Sequence, residues 1–493
     1  MFYQWSLVQT LLLLVSGLLI WRYVQTNLLS PLRHIPGPFL ASLTDYWLVL
    51  IDLAGFRTLT IHQLHSKYGP VVRVGPHEVS FADQASVNEI YSQQTAFMKA
   101  PIYDSMSVKP FGIFSLRDKS LHSQRRSLLS YAFSQGNVTT CAPLVHAQIS
   151  KLVGKVGAKE GKSVDVHLLF RLFSLDVVGE LFLGSSFGGL DSEGSPPQFL
   201  HDMDQHFLIG GIEWNFPLIY ALLTILPIRG VRHFLAARDR LAEYGENAYR
   251  TYIEKYGRDS GRKDLLTKIL SPKDESQTLT DRETYVEIGN LVFAGSDTTS
   301  TTLTYLFWEL TRNPQWQQRV RDELQSMAKE DGSSGNARLL GATDAPVLEA
   351  VINEALRLHP AAPASLQRAT PVGGAQLGVY YIPEKTVVSA QCYTTQRNAE
   401  VFPDPDMFKP ERWLDDGQSS QESKDLFMPF SKGTRACLGR NLAMMELRQV
   451  TSALLLKYNV AAASNTTSDS MAMRDHFLVL PKGGRCDLMF HLL

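Results

Sequence analysis

The sequence predicts a mainly α-helical protein with a smaller β portion (α+β), tethered by one N-terminal transmembrane helix. Three observations carry this. "WSLVQTLLLLVSGLLIWRYV", from Trp5 to Val24, is an apolar run about long enough to cross a bilayer. From about Ala85 to Leu358 the apolar residues recur mainly at helical spacing. Runs of β-branched residues broken by Gly and Pro gather toward both ends of the chain. With 493 residues, 44% of them hydrophobic and 10% aromatic, the chain can bury a large core. Strands drawn from both ends favour one interwoven body over separate domains in series.

The elements follow in order. The apolar run has no charge until Arg22, and Trp5, Trp21 and Tyr23 sit at its edges as interfacial aromatics do. No Lys or Arg precedes it, whereas Arg22 and Arg33 follow it, which places the rest of the chain in the cytosol. A cleaved signal peptide fits less well, because a basic leading region and a small-residue cleavage site are missing. Residues 1–25 therefore read as the anchor. Residues 26–40, with Pro31, Pro36 and Pro38, read as a semi-rigid neck, and 41–493 as the globular body. "YGPVVRVGPHEVSFAD" reads as two strands around the turn Gly75-Pro76-His77, and "ARDRLAEYGENAYRTYIEKYG" as an exposed helix. "GRDSGRKD", "SPKDESQTLTD", "KEDGSSGNA" and "DDGQSSQESKD" read as polar surface loops. "KTVVSAQCY" is a strand, and "RNLAMMELRQVTSALLLKY" the last long helix.

Composition excludes some functions. A formal net charge of -1 argues against nucleic acid as the main partner. Cys141, Cys392, Cys437 and Cys486 are far apart and form no CxxC pair. That excludes a disulfide scaffold and a zinc ribbon, and suits a reducing compartment.

Four stretches carry chemistry. In "FSKGTRACLG", Phe430 to Gly439, Cys437 sits just before a helix, where free N–H groups would stabilise a thiolate. Gly433 and Gly439 let the backbone turn and approach a flat partner. Arg435 could pair with a carboxylate on a bound group, and Phe430 could shield the sulfur. A buried structural cysteine is an equal alternative on these residues alone. No neighbouring His would make Cys437 a nucleophile. In the helix from Glu283 to Pro314, Ala294, Gly295, Asp297 and Thr298 interrupt an apolar run. Gly295 would let a flat group lie against the backbone, and Thr298 would bond backward and open the helix. Asp297 and Thr298 would form an acid–alcohol pair for relaying protons, against the plainer alternative of a core helix with solvated threonines. Glu354 and Arg357 in "LEAVINEALRLHP" are three apart, with Arg412 of "PERW" a candidate third member; an exposed helix ion pair is the commoner outcome for such a spacing. His122 and Arg126 lie one turn apart, either as a solvated basic face or as an anion site.

The order and spacing of these stretches resemble those of a membrane-anchored eukaryotic cytochrome P450, a haem-thiolate monooxygenase. The family's cysteine loop, Phe-x-x-Gly-x-Arg-x-Cys-x-Gly, is met by Phe430, Gly433, Arg435, Cys437 and Gly439. Its oxygen-activating helix motif is met by Ala294, Gly295, Asp297, Thr298 and Thr299. Its Glu-x-x-Arg pair is Glu354 and Arg357, and its Pro-Glu-Arg signature gives Arg412. The resemblance implies the cytochrome P450 fold and a haem b (iron protoporphyrin IX) cofactor with Cys437 as the iron ligand. It implies propionate contacts from Arg435, Arg126, His122 and Arg368, and proton delivery by Asp297 and Thr298. His122 departs from the Trp that many members carry there, yet still donates a hydrogen bond. Implied partners are NADPH–cytochrome P450 reductase, with cytochrome b5 as an optional second donor, and a lipophilic small molecule. The implied location is the endoplasmic reticulum membrane, crossed once, with the catalytic domain in the cytosol.

"HSQRRSLLSYAFS", "GGAQLGVYYIPEKTVV" and "VFPDPDMFKPERWL" resemble fungal members that decorate secondary metabolites, whether terpenoid, polyketide or alkaloid. A haem-thiolate isomerase or dehydratase without an electron donor would share the cysteine loop but tends to lose the acid–threonine pair. A non-catalytic membrane haem sensor would need neither Asp297 nor Thr298. The electron donor is expected on the face carrying Lys432, Arg435, Arg440 and Arg448. The substrate pocket is expected in "KAPIYDSMSVKPFGIFSL", around Asn290 to Ala294, in "AAPASL" and near His476-Phe477-Leu478. These stretches are mostly apolar.

Overall fold

The helix Asp281–Arg312 sets the arrangement of the rest. Thr280 opens it with a capping box, its hydroxyl accepting from the Glu283 N–H while the Glu283 side chain returns to the Thr280 N–H. From Ser296 to Leu310 nearly every residue is buried, so the helix runs through the core, not along its surface. The computed structural model describes residues 7–106, 109–192, 196–271, 278–330, 344–414 and 420–493.

The principal neighbour of this central helix is the helix Val166–Leu183, capped at its start by Asp165 and ended by Gly184 at φ +68°. Gly295 is what lets them approach: a Cβ there would stand 2.6 Å from Val178 Cγ1. Ala237–Tyr256, Pro346–Leu358 and Arg440–Leu455 complete the helical core. The opening of the helix at Thr298 does not occur. Thr298 Oγ1 donates to the Ala294 carbonyl at 2.7 Å while the α-helix continues unbroken.

Most strands come from both ends of the chain, as expected, but the strand Ser163–Asp165 comes from within the helical stretch. In order, the strands are β1 (Val71–Gly75), β2 (Glu78–Phe81), β3 (Met98–Lys99), β4 (Ser163–Asp165), β5 (Arg368–Ala369), β6 (Ala375–Leu377), β7 (Tyr380–Ile382), β8 (Val387–Ser389), β9 (Tyr458–Ala462), β10 (Met473–His476), β11 (Leu478–Pro481) and β12 (Asp487–Leu492). The largest sheet has the order β1-β2-β8-β5-β3, with β2 and β8 parallel. The β1–β2 hairpin turns at Pro76-His77, with Gly75 opposite Glu78. A second sheet runs β4-β12-β9, and β6–β7 and β10–β11 are separate hairpins.

The stretch Gln9–Leu28 is long and apolar enough to cross a membrane and lies almost wholly outside the body. The proline neck does not stand free of that body. Leu32 and Ile35 are buried in the same core as Val79, Phe81 and Val388. Arg73 on β1 donates to the carbonyls of Thr26 and Pro76, both at 2.9 Å, and its N–H donates to the Pro36 carbonyl at 2.8 Å. Gly37 has no room for a Cβ against the Arg73 carbonyl.

Trp5, most of the loop "SPKDESQTLTD", nearly all of "KEDGSSGNA" and the first half of "DDGQSSQESKD" lie outside the described residues. The second half of the last is not a loop. Gln421–Leu426 is a short helix, capped by Ser420 and pinned by the buried Leu426. Its apolar anchor follows the polar run that the loop expectation was based on.

Candidate functional site

The cysteine loop is shaped by backbone before side chains enter. Ser431 and Gly433 take positive φ, and Gly433–Arg435 make a 3₁₀ turn. The Cys437 N–H closes the loop on the Phe430 carbonyl at 2.8 Å. Gly433 has no space for a Cβ because the carbonyl of Tyr91 lies against it. This glycine seats the loop on the neighbouring chain. Gly439 differs: a Cβ there would meet only Cys437 Sγ, at an ordinary contact distance of 4.0 Å, so packing among the described residues leaves room for one.

Of the four cysteines, Cys437 is solvent-exposed and the others are buried. Its sulfur opens to free space on one side while protein packs closely behind it. That packing pushes the thiol pKa up; the Gly439 N–H, Arg126 and Arg440 pull it down. The Arg440 guanidinium lies 5.8 Å from the Phe430 ring centroid.

Around this opening gathers a set of nitrogen side chains without acids. Arg435 donates to the carbonyls of Leu116 and Arg117, at 2.6 and 2.9 Å. Arg126 donates to the Ala436 carbonyl at 2.8 Å, one residue from the cysteine. Arg368 reaches the carbonyls of Leu366 and Gln367, and Lys99 that of Phe114. Among the described residues no carboxylate forms an ion pair with any of these four. Their mutual repulsion has consequences. Burial, then Arg368 and Arg126, push Arg435 down to about 10. Burial, then Arg368 and Arg435, push Lys99 well below its ordinary value. Burial, then Arg435, Lys99, Arg126 and Arg368, push His122 down to about 3, so its ring is neutral. Buried cations are ordinarily paired. A cluster resting on carbonyls beside an accessible thiol fits a flat group that carries carboxylates and a metal, which is the chemistry of haem.

The central helix supplies another wall. Ala294 is exposed and Thr298, one turn on, is half-buried, in a helix otherwise packed on most sides. Asp297 does not share that face. Its carboxylate accepts from Arg171 Nε at 2.9 Å, and Arg171 also donates to Asp204 at 2.6 Å. Burial pushes the Asp297 carboxyl up and Arg171 opposes it; the close pair holds Arg171 firmly charged. Asp204 lies on the outer helix Gln198–Asn215 and is partly exposed, so the chain Asp297–Arg171–Asp204 leads from helix middle to surface. The expected side-by-side acid–alcohol pair is thus two side chains on different faces. Gly295 likewise serves the neighbouring helix and not an open surface.

Glu354, Arg357 and Arg412 meet as one buried network. Arg357 grips Glu354 at 2.8 and 2.9 Å, and Arg412 Nε reaches Glu354 at 3.2 Å. Arg357 also donates to the carbonyls of Gln396, Pro405 and Met407, and Trp413 Nε1 to Glu354 at 3.0 Å. Both Glu354 and Arg357 side chains are 0% exposed, so an exposed helix pair is excluded. The network ties the helix Pro346–Leu358 to the meander that precedes the cysteine loop.

The basic face expected for an electron donor is thinner than its sequence. Lys432 is paired with Asp425 at 3.0 Å, Arg448 with Glu349 at 2.8 Å, and Arg435 points inward. Arg440 alone of the four is exposed.

The pocket stretches converge as expected. Phe477 holds φ +77° at the tip of the β10–β11 hairpin, its N–H donating to Asp475. Its ring lies 5.7 Å from Phe114 and 4.6 Å from Phe207, and Phe207 is 5.3 Å from Phe293 on the central helix. This aromatic roof borders a cavity of about 110 Å³ lined also by Ala364, Ser365 and His476. Sequence reasoning gave no role to Arg171 and placed Lys99 only in the pocket. Arg171 carried a signal, as the lone cation in the apolar run "HLLFRLFSLDVV". Lys99 carried none.

Comparison with known proteins agrees with this geometry. Residues 38–487 match the family model described as Cytochrome P450. The chain is 32% identical over 469 residues to the cytochrome P450 monooxygenase stcB of Emericella nidulans, covering 93% of this chain and 88% of that protein. It is 31% identical over 466 residues to the cytochrome P450 monooxygenase tazI of Aspergillus terreus, covering 93% of each. It is 32% identical over 481 residues to the cytochrome P450 monooxygenase aflV of Aspergillus parasiticus, covering 94% of this chain and 92% of that protein. The chain belongs to the cytochrome P450 family.

Proposed function

We propose that this cytochrome P450 binds haem b through Cys437 and inserts one atom of dioxygen into a lipophilic small molecule of a fungal secondary-metabolite pathway. Electrons come from NADPH through cytochrome P450 reductase, with cytochrome b5 as an optional second donor. The observation that carries this is the accessible Cys437 sulfur beside four basic side chains that form no ion pair with a carboxylate among the described residues. Cys437 would hold the iron; Arg126, Arg368, Arg435, neutral His122 and Lys99 would hold the propionates. When bound, the haem supplies the oxygen-activating chemistry, and a thiolate ligand favours cleavage of the O–O bond.

The chain's own residues set the conditions for that chemistry. Exposed Ala294 leaves room beside the central helix. The Thr298 hydroxyl donates backward to Ala294, so its lone pairs are free to hold a water on the open face. Arg171 tethers Asp297 to Asp204 near the surface, and Asp297, when it leaves Arg171, would take protons from water there and carry them inward to the Thr298 water. The aromatic roof of Phe114, Phe207, Phe293 and Phe477 excludes bulk water and receives the apolar part of the substrate.

Substrate would enter from the bilayer of the endoplasmic reticulum, with the body on the cytosolic side that Arg22 and Arg33 favour. Leu218 is 86% and Ile225 72% exposed on the helix Pro217–Ile225. Phe216 stacks on Tyr46 at 5.5 Å, which joins this apolar strip to the first helices after the anchor. An apolar patch of that kind rests on lipid. The test is oxygen uptake by the protein in vesicles with reductase and NADPH, as fractions of a fungal extract are added. Substrate-dependent uptake with an oxygenated product is expected. Haem-loaded protein that accepts electrons yet oxidises no fraction would refute it.

A further inference from the structure

The cavity under the aromatic roof carries one carboxylate with no hydrogen-bond or ion-pair partner of its own among the described residues, although Arg57 lies near it. Asp52, near the end of the helix Tyr46–Leu53, lines it and forms neither hydrogen bond nor ion pair through its carboxyl among the described residues. The two arginines of the cavity wall each have another carboxylate as partner, and His206 and His476 also line it. Arg57 pairs with Glu78 at 2.7 Å, and Arg238 pairs with Glu213. Behind the wall, Asp475 accepts from the Thr58 hydroxyl and N–H and from the Phe477 N–H. His206 is kept neutral, as burial pushes it down to about 4. Asp52, Glu78 and Asp475 thus share one nearby arginine. Burial pushes the Asp52 carboxyl up to about 6, against Arg57 and with Asp475 and Glu78. Tyr103, Phe207, Trp214 and Phe477 line the same cavity. A lone carboxylate among aromatic faces is the chemistry that receives an organic cation.

We infer that Asp52 is a specificity-determining residue that pairs with a positively charged nitrogen at the far end of a lipophilic substrate, whose apolar body extends toward Cys437. This rests on the monooxygenase reading above for the identity of the cavity as the substrate's route. It narrows the substrate class to molecules with a basic nitrogen remote from the oxidised carbon.

The haem-loaded protein tests it with three probes of equal chain length: dodecyltrimethylammonium, dodecanol and dodecanoate, below their micellar concentrations. The quaternary nitrogen cannot ligate iron, and because the head groups also differ in size and hydrogen bonding, each probe is compared between wild type and variant to isolate what the Asp52 charge contributes. Equilibrium dialysis measures binding to the wild type, Asp52→Asn and Asp52→Glu. The wild type should hold the cation roughly tenfold tighter than dodecanoate, as expected for a partly buried charge pair. Asp52→Asn should abolish that preference and leave dodecanol unchanged, and Asp52→Glu should keep it. Equal preference in wild type and Asp52→Asn, or a wild type that favours dodecanoate or neither ion, would overturn the proposal. The reduced, CO-bound spectrum of each variant reports the haem centre separately, so loss of that centre is not mistaken for loss of the Asp52 site.

Discussion

Arg435→Met should act with opposite sign on the haem-free and haem-bound protein. In the haem-free chain burial, then Arg368 and Arg126, push the Arg435 guanidinium down to about 10. That displacement of about 2.5 corresponds to ~3 kcal/mol of unfavourable environment. The site is half open, and solvent screening leaves ~1–2 kcal/mol. The carbonyls of Leu116 and Arg117, freed by the substitution, face the same opening and can take water. The haem-free variant should therefore unfold at the same temperature as the wild type or a few degrees higher. With haem present, Arg435 would meet a carboxylate, and a charge-assisted hydrogen bond contributes ~1.5–3 kcal/mol. Haem should accordingly bind about 10- to 100-fold more weakly to Arg435→Met. The assay is thermal unfolding by circular dichroism for protein made with and without haem, beside an absorbance titration with hemin. Equal destabilisation of both forms, with haem affinity unchanged, would show that Arg435 is a strut for the 116–117 chain and not a propionate ligand.

Three further outcomes are expected. Glu354→Gln removes the charge between Arg357 and Arg412, and breaking a buried ionic network costs about 3–5 kcal/mol; the urea midpoint should fall with haem present or absent. Asp52 is raised in the folded state to about 6 from 3.8, so the folded protein binds the extra proton and stability falls as pH rises through that window. Asp52→Asn should remove up to ~3 kcal/mol of that decline, seen as a flatter melting-temperature profile between those values and higher stability at neutral pH. Thr298→Ala should leave substrate binding intact while product formed per NADPH falls several-fold, measured by product and peroxide analysis; unchanged yield would remove Thr298 from proton handling.

Local rules made much of this legible in the sequence. The β1–β2 hairpin, the helix Ala237–Tyr256 and the central helix follow from period and turn residues alone. The cysteine loop stood out only beside the other motifs, since its own residues left a structural cysteine as an equal alternative. What escaped were partners distant in sequence. Arg171 lies 126 residues from Asp297, and no spacing rule connects them. The same holds for Gly295, whose missing side chain answers to Val178 on another helix and not to a ligand. Lys99 looked like any lysine until β3 placed it among three arginines. Arg448 and Lys432 show the converse: cations that appear as an exposed cluster in sequence are spent on Glu349 and Asp425 in the fold. The loop expected through Asp425 gives way to the helix Gln421–Leu426 because one apolar residue just beyond it, Leu426, outweighs five polar ones when it finds the core.

The Cys437 sulfur faces a cradle of cations without ion-pair partners among the described residues, and we propose that as a thiolate it holds a haem iron. The direct measurement is the absorption spectrum of the haem-loaded protein, reduced and exposed to carbon monoxide, for the wild type and Cys437→Ser. The wild type should show the long-wavelength Soret band of thiolate ligation, and Cys437→Ser, folded by circular dichroism, should lose it. A wild type without that band, or a Cys437→Ser variant that retains it, would contradict the assignment.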